Sequence, residues 1–415
     1  MMLRPYVVFI ESNTSGTGQL FFAAARDLNF EPILLAKDPQ KYAFLADTEI
    51  GVIDCDTSDL GNLLSVCAQL ASLRPVAGIM TSSEYFVEMV ARLTQKLGFS
   101  GPSLTAVSMC RNKGALRRAL QSAGLETLRF SEIAHVDNVR QAVQQIGLPV
   151  VVKPIAGSGS ISVRLCLNEA EAEEQVTHIF RTDSSTTALL EEYVSGTEYS
   201  VEVFNGEPVG ITRKHLGKEP FFVETGHDFP AALAPDAKND ILRYVREVCE
   251  EIGLDWGAVH IEVKLDQKSR PQIIEINPRL AGGFIPELVR LASGVNLVEE
   301  SVRLSTGLGR IPKVTRYRFA SIQFLLPERN GRISHIDGIS DAWDSPNVFA
   351  VRLYKPLPLE VELRGDFRDR IGHVITLAET GKKASEAASA ALHMISPSYV
   401  ETDEASRGGK VHECA

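Results

Sequence analysis

The chain has no pair of cysteines at CxxC spacing. Its six cysteines, Cys55, Cys67, Cys110, Cys166, Cys249 and Cys414, are scattered over 415 residues. That spacing speaks against a zinc site and a disulfide framework, and points to a reducing, cytoplasmic setting. There is no apolar run of spanning length. The run Tyr6 to Ile10 is too short for a signal peptide or a membrane span, so no membrane is expected as a partner. Positive charge is not in excess either. The formal net charge is −10, which argues against nucleic acid as a partner but leaves room for a local Lys/Arg cluster that holds phosphates. No internal repeat is visible. The Gly16-Thr17-Gly18 stretch lacks the third glycine of a dinucleotide fingerprint, and no acidic residue clearly ends the second apolar run, which closes in Ala36-Lys37-Asp38. A tight turn or a substrate loop is the expectation there.

What is present describes an ordinary globular protein, with 44% hydrophobic and 23% charged residues. The length exceeds one typical core, so several subdomains are expected. Residues 1–104 alternate short apolar runs (PYVVFI, EPILLA, GVIDC, VAGIMTS) with helical patterns (QLFFAAARDL, EYFVEMVARLTQKLG). That alternation predicts an open parallel α/β sheet, with ligands at the carboxyl ends of its strands. Residues 105–190 read as linker helices followed by a small α+β segment. Residues 191–310 contain further strands, a hairpin arm at NGEPVGITRKHL and the amphipathic helix KNDILRYVREVCEEIG. Residues 311–395 read as a small antiparallel cap with one helix, and 396–415 as a disordered tail. The fold class is therefore α/β combined with α+β.

The stretch PQIIEINPRLAGG carries the most chemistry. Ile273, Ile274 and Ile276 predict a strand, on which Glu275 and Asn277 share a face because side chains alternate. VHIEVKL is a second predicted strand, with Glu262 at its middle. Two carboxylates and an amide oxygen on neighbouring strands form a hard-oxygen cage suited to Mg²⁺. The alternative is a pair of solvent-facing glutamates on ordinary strands. Arg279 follows directly and offers a fixed fork for phosphate or carboxylate.

Lys113 opens a helical pattern and Lys153 ends the apolar run VVVKP. A lysine is a compact charge matched to phosphate, although either one alone could equally be solvated surface. Lys153 is the less ordinary of the two, since so apolar a strand should be buried. After it comes Ala156-Gly157-Ser158-Gly159-Ser160, whose small residues would let backbone N–H groups approach phosphate oxygens, or simply make a hairpin turn. No GK[ST] follows, so it is not a Walker A loop. Glu191-Glu192-Tyr193-Val194 leaves a strand and leads to Glu198. Such a linker exposes backbone groups to an adenine edge, unless it is only an interdomain crossing.

Lysine, strand lysine, glycine loop, EEYVSGTE, then Glu262 and EINPR: in this order the motifs resemble the ATP-grasp superfamily over roughly residues 1 to 310. The resemblance implies an N-terminal parallel domain, a lid, a metal-site subdomain and a cap. It implies ATP as cofactor, held between two α+β subdomains, and ADP and phosphate as products through an acyl phosphate. By it, Lys113, Lys153 and the loop Gly157 to Ser160 hold phosphates. Glu191, Tyr193 and Val194 meet adenine and Glu198 meets ribose. Glu262, Glu275 and Asn277 hold two Mg²⁺, with Mn²⁺ as a substitute.

Within the superfamily the chain resembles the L-amino-acid ligases, which join two amino acids. The residues that carry this are Ser83-Glu84 after the fourth predicted strand and the run Glu224-Thr225-Gly226-His227-Asp228-Phe229-Pro230. The match implies that Glu84 and Glu224 meet a substrate ammonium. Ser160 and Gly282 would line the pocket, Arg279 would hold the acyl phosphate, and His227 would polarise the reacting carboxyl or steer the amine. His227 in a hairpin loop and Glu84 as a helix N-terminal charge are the plainer alternatives. A homodimer is common among similar enzymes. The implied function is amide-bond formation in dipeptide or peptide-antibiotic biosynthesis, as in dapdiamide-type ligases. The competing expectations are a carboxylating enzyme of biotin or purine type, which would not need the Glu224/His227 pair, and a non-catalytic nucleotide-binding regulator, against which the intact Glu262, Glu275, Asn277 and Arg279 argue.

Overall fold

The computed structural model describes residues 3–14 and 17–400. Gly16, Cys414 and the tail from residue 401 lie outside the described residues. Four strands, β1 (Tyr6–Ile10), β2 (Glu31–Ala36), β3 (Gly51–Asp54) and β4 (Val76–Met80), make a sheet in the order β3-β2-β1-β4, parallel throughout. Strand β1 is buried on both faces. Val7 and Phe9 join one apolar cluster, while Tyr6, Val8 and Ile10 join another. This two-sided burial is why its sequence is a continuous apolar run rather than an alternating one. The helix Leu60–Leu73 connects β3 to β4 and was not among the helical patterns expected of this region. Its leucine-rich stretch starts with Asp59, whose side chain accepts from the Gly61 N–H.

A second four-stranded sheet, antiparallel throughout, has the order β5-β8-β6-β7, from β5 (Phe130–Ile133), β6 (Val150–Pro154), β7 (Arg164–Cys166) and β8 (Ala188–Glu192). Helices Val139–Ile146 and Glu169–Thr182 cover one of its faces through Val143, Ile146, Val176 and Ile179. The other face looks into the cleft.

The largest sheet has eight strands. It is built from β9 (Glu198–Phe204), β10 (Glu207–Leu216), β11 (Glu224–Phe229), β12 (Ala258–Leu265), β13 (Pro271–Asn277), β14 (Phe319–Leu325), β16 (Val348–Leu353) and β18 (Gly372–Ala378), in the order β13-β12-β9-β10-β11-β14-β18-β16. A three-stranded sheet, β17-β15-β19, is formed by β15 (Gly331–Asp337), β17 (Leu359–Val361) and β19 (Ser396–Tyr399). The region read as a separate antiparallel cap is thus divided. Its strands β14, β18 and β16 extend the large sheet, because β14 pairs with β11 from Gly226↔Gln323 to Phe229↔Ala320. The expected tail also starts later than residue 396, since Ser396–Tyr399 pairs with β15.

One face of the large sheet is apolar and the other is charged. On β9, Tyr199, Val201 and Val203 pack with Ile241, Tyr244, Val245 and Val248 of helix Pro235–Ile252. The alternate residues Glu198, Ser200 and Glu202 therefore face the other way. On β12 the same alternation buries Val259, Ile261 and Val263 in that cluster and turns His260, Glu262 and Lys264 to the opposite face. Hydrophobic burial on one side thus gathers the charged residues on the side that closes the cleft. Among the described residues no helix is long and apolar enough to cross a membrane.

Candidate active site

An open cleft lies between the second and the large sheet. Its lid-side wall begins with β6. Val150 and Val152 face the helices, so Val151 and Lys153 face the cleft. Glu191 on β8 pairs across from Val151, diagonal to Lys153 on the same face. The Lys153 Nζ lies 2.5 Å from Glu191 Oε2, and Arg117 donates through Nε to Glu191 Oε1 at 2.7 Å. Arg117 is fully buried and also donates to the Ile273 carbonyl at 2.7 Å, tying this wall to β13. Burial pulls the Lys153 ammonium below its ordinary range, Glu191 opposes that, and Arg117 and Lys113 add to it. Burial would raise the Glu191 carboxyl, but Arg117 and Lys153 outweigh it and hold it at about 2.

Lys113 is the first residue of helix Lys113–Ser122, whose cap Asn112 accepts from the Ala115 N–H. This start aims Lys113 across the cleft, with its Nζ 2.9 Å from Glu275 Oε1 and 2.7 Å from the Gly157 carbonyl. The loop after β6 has φ of 126° at Gly157, 71° at Gly159 and 60° at Ser160. Those are left-handed conformations that glycine adopts freely. Gly157, Ser158 and Ser160 line the cleft. Gly159 turns instead toward Phe367, where an added Cβ would meet the ring at 2.5 Å. Beyond β8, Tyr193, Val194 and Phe222 also line the cleft, and the Lys264 ammonium lies 5.2 Å from the Tyr193 ring centre.

The opposite wall is acidic. Glu262 and Glu275 are direct partners in the β12–β13 ladder, and Asn277 pairs with His260. Ile276 is in the core cluster, so Glu275 and Asn277 share the cleft-side face. On the neighbouring strands a single buried ammonium, Lys214, meets three carboxylates: Glu262 at 2.5 Å, Glu198 at 2.7 Å and Glu224 at 2.8 Å. Burial alone would lower Lys214, but these glutamates raise it well above the ordinary lysine value. For Glu262 and Glu224, burial raises the carboxyl, but Lys214 overrides it, so both sit well below the carboxylate range. Glu198 goes the other way. Burial pushes it up, Lys214 only partly offsets that, and Glu262 adds to it. His260 bridges Glu202 at 2.8 Å and Glu262 at 3.3 Å. Its burial disfavours the charged ring, but Glu202 and Glu262 raise it to about 9.

Glu262, Glu275 and Asn277 are hard-oxygen donors of the kind Mg²⁺ takes. Among the described residues no group of three His, Cys, Asp or Glu is close enough to hold a metal alone.

A third group lies toward the first sheet and the C-terminal region. Arg279 donates through Nε to Glu84 Oε2 at 3.0 Å, and Arg111 to Glu84 Oε1 at 2.8 Å. Burial would raise the Glu84 carboxyl, but Arg279 and Arg111 hold it below its usual value. Each oxygen of Glu84 thus carries a guanidinium partner, and the carboxylate retains acceptor capacity beyond them. His227 is fully buried, its ring edge-on to Phe324 with centroids 5.4 Å apart. Neither ring nitrogen has a hydrogen-bond partner, the distance to Glu224 Oε2 being 3.6 Å. Burial pulls His227 down to about 3 against the pull of Glu224, so the ring is neutral. Gly282 faces open space, while a Cβ on Gly283 would lie 2.6 Å from His227 Nε2. Ser160 donates to the Phe222 carbonyl at 3.2 Å.

The structure thus brings the phosphate-directed residues, the EEYV segment, Glu198, Glu262 and Glu275 onto one cleft. Glu224, His227 and Arg279 lie beyond it, Glu224 being joined to Glu262 through Lys214. Sequence reasoning overlooked Lys214, Arg117, His260, Lys264, Arg111 and Arg370. The available signal for Lys214 was the alternation in ITRKHL, where Ile211 is a core residue and Lys214 falls on the other face.

Residues 146–287 match the ATP-grasp domain family, and residues 323–400 match the family of L-amino acid ligase C-terminal domain 2. An uncharacterised protein of Sinorhizobium fredii, y4rH, is 33% identical over 388 residues, which is 92% of this chain and 80% of that protein. The alanine–anticapsin ligase of Bacillus amyloliquefaciens is 29% identical over 259 residues, 56% of this chain and 54% of that enzyme. The chain therefore spans about half the length of that ligase. The crystal structure of an L-amino acid ligase from Bacillus licheniformis superposes with a TM-score of 0.82 at 20% identity, covering 97% of this chain and 100% of that one. The chain belongs to the ATP-grasp superfamily, as a ligase near the L-amino-acid ligases.

Proposed function

We propose that the protein joins the carboxylate of an amino acid or N-acyl amino acid to the amine of a second amino acid. ATP is spent, and ADP and phosphate are released through an acyl phosphate. The observation that carries this reading is the pairing of two unlike walls. A cationic wall of Lys113, Lys153 and the Gly157 to Ser160 loop suits a nucleotide phosphate chain, and an acidic wall of Glu262, Glu275 and Asn277 stands opposite. Tyr193, with Glu191 and Val194, offers the adenine site, and Glu198 the ribose contact.

Glu262, Glu275 and Asn277 would hold Mg²⁺, two ions in the family pattern with Mn²⁺ able to replace them, and bound metal supplies charge neutralisation on the phosphate oxygens. In the first step a substrate carboxylate oxygen attacks the terminal phosphorus and the bond to ADP breaks. In the second, the amine nitrogen attacks the acyl carbon, the carbon–oxygen bond to phosphate breaks, and the amine proton leaves to solvent or phosphate. Arg279, oriented by Glu84 and Arg111, is suited to hold the acyl phosphate charge. The neutral His227 can accept or donate one hydrogen bond toward the reacting carboxyl. Glu224 is the carboxylate suited to the ammonium of the first substrate. The similarity to an alanine–anticapsin ligase supports amino acids as substrates and a dipeptide or peptide-antibiotic product. The free thiols of Cys67, Cys110, Cys166 and Cys249 support a reducing, cytoplasmic setting, and a homodimer is the assembly we infer.

The test is phosphate release from ATP and Mg²⁺ across a grid of paired amino acids, with mass detection of the amide. Phosphate and amide appearing together for particular pairs is the expected result. Phosphate release that requires bicarbonate, with no amide, would replace this reading by a carboxylating one.

A further inference from the structure

The glycine-rich loop after β6 carries little by which to hold itself in place. Ala156, Gly157 and Gly159 have one side-chain carbon or none, and Gly157 and Gly159 stand at φ of 126° and 71°. Such a backbone is weakly restrained on its own and loses much freedom when it is fixed. Its position must come from what it rests on. Two of the supports are polar. The Gly157 carbonyl accepts from Lys113 at 2.7 Å, and Ser160 donates to the Phe222 carbonyl at 3.2 Å. Between them, at Gly159, the support is apolar. The Phe367 ring lies against this residue so closely that an added Cβ would meet Cδ1 at 2.5 Å and Cε1 at 2.9 Å. The Phe367 N–H also makes a long hydrogen bond to the Gly159 carbonyl, at 3.5 Å.

Phe367 is presented by a braced turn. The buried Asp369 accepts from the Arg364 and Gly365 N–H groups, each at 2.8 Å, and Asp366 accepts from the Arg368 N–H at 2.9 Å. Gly365, at φ of 75°, packs under the Phe221 ring, where a Cβ would come within 2.7 Å. Phe221 lies in the connection from β10 to β11, whose Pro220 carbonyl accepts from the Leu165 N–H of β7 at 2.9 Å. At the far end of the turn, Arg370 donates through Nε to the Glu224 backbone carbonyl at 3.1 Å and pairs with the Glu224 carboxylate. The turn is thus held on both sides, while the Phe367 side chain at its tip stays 46% exposed. Its contact with the loop is not part of a buried core.

We propose that Phe367 is a positioning residue for the nucleotide: it seats Gly159 so that Gly157, Ser158 and Ser160, which line the cleft, stay turned toward the outer phosphates. The inference rests on the nucleotide reading of the cleft. The start of the loop belongs to the phosphate end of that cleft, because Lys113 touches both Gly157 and Glu275 of the acidic wall. An incoming phosphate competes for Lys113 but not for an apolar ring, so the seat at Gly159 persists when the nucleotide is bound.

The experiment measures ATP and AMP binding by calorimetry with Mg²⁺ present. Phe367→Ala should weaken ATP by about tenfold, the scale of losing part of an aromatic side chain's burial. AMP lacks the outer phosphates and should stay within about twofold. Since the ring is half exposed, the urea midpoint should stay near that of the wild type. Phe367→Leu, which keeps an apolar face, should recover most of the ATP affinity. Gly159→Ala places a methyl where the ring rests and so breaks the same contact. Adding Phe367→Ala to it should therefore change ATP affinity by no more than about twofold, the coupling expected of touching residues. Unchanged ATP affinity in Phe367→Ala, equal losses for ATP and AMP, or a further full tenfold loss in the double variant would overturn the assignment. Failure of the nucleotide reading looks different: the wild-type protein would then bind no ATP, before any variant is made.

Discussion

Lys153 and Lys214 are both buried and both point into the same site, yet their surroundings are opposite. Lys153 shares its one carboxylate, Glu191, with Arg117, and Lys113 stands nearby. Lys214 meets three carboxylates, Glu198, Glu224 and Glu262, and each of these has a further basic neighbour, Lys264, Arg370 and His260 respectively. The first ammonium is pulled below the ordinary lysine value by burial and neighbouring cations, and the second is raised well above it. The difference teaches what each region is built to receive. On the proposed reading the Lys153 side receives a phosphate anion and the Lys214 side a cation, whether a metal ion or a substrate ammonium. Lys113 pairs with Glu275 and Arg370 with Glu224.

The comparison breaks most sharply at Lys214. Lys214→Met should remove the shared partner of three buried carboxylates, leaving Glu198 with Lys264, Glu224 with Arg370 and Glu262 with His260, and lower stability by about 3–5 kcal/mol, the cost of breaking a buried pair from one side, as read by the urea midpoint. A loss below about 1 kcal/mol would mean that the carboxylates are neutralised some other way. Next in size, Glu275→Gln should keep the fold and reduce turnover at least about a hundredfold, because one of the facing carboxylates loses its charge. Near-normal turnover with Mg²⁺ would remove Glu275 from the metal wall.

Lys153→Met sharpens the contrast. Glu191 keeps Arg117, so the stability loss should be smaller than for Lys214→Met, while ATP affinity should drop about tenfold to hundredfold. Calorimetry with ATP decides it, and unaltered affinity would rule Lys153 out as a phosphate ligand. The smallest effect concerns pH. His227 has its ordinary value of 6.5 when unfolded and about 3 when folded. Between these values the unfolded chain binds a proton that the folded one refuses, so stability should rise with pH across that window and this contribution should be constant above it. His227→Gln should flatten part of that slope. An unchanged slope in the variant would show that the ring is charged or exposed in the folded protein.

Much of the nucleotide wall was legible because each motif lies within one strand or one loop. In VVVKP, EEYV and EIN, alternation along a single strand decides which side chains share a face, and the apolar residues announce which face is buried. The acidic network was not legible, since it depends on register between strands that are distant in sequence. Lys214 meets Glu198 as its ladder partner on β9 and Glu224 only across the bulged end of β11. Arg370 reaches Glu224 over 146 positions, and no local pattern marks that turn. The junction of the cap with the large sheet was not legible for a similar reason. The cap's strands alternate as an independent sheet would, and only the pairing of β14 with β11 shows that they continue the large one. The partners of Glu84, Arg111 and Arg279, were not legible because they come from two other segments of the chain.

The most direct test of the account follows the fate of one oxygen atom. A substrate whose carboxylate carries a heavy-oxygen label is incubated with ATP, Mg²⁺ and the partner amine, and the products are analysed by mass spectrometry. If the carboxylate is phosphorylated before the amine attacks, one label appears in inorganic phosphate for each amide formed, and ADP is the nucleotide product. Label recovered in AMP, or phosphate free of label while amide accumulates, would contradict the acyl-phosphate mechanism on which the two-walled cleft is read.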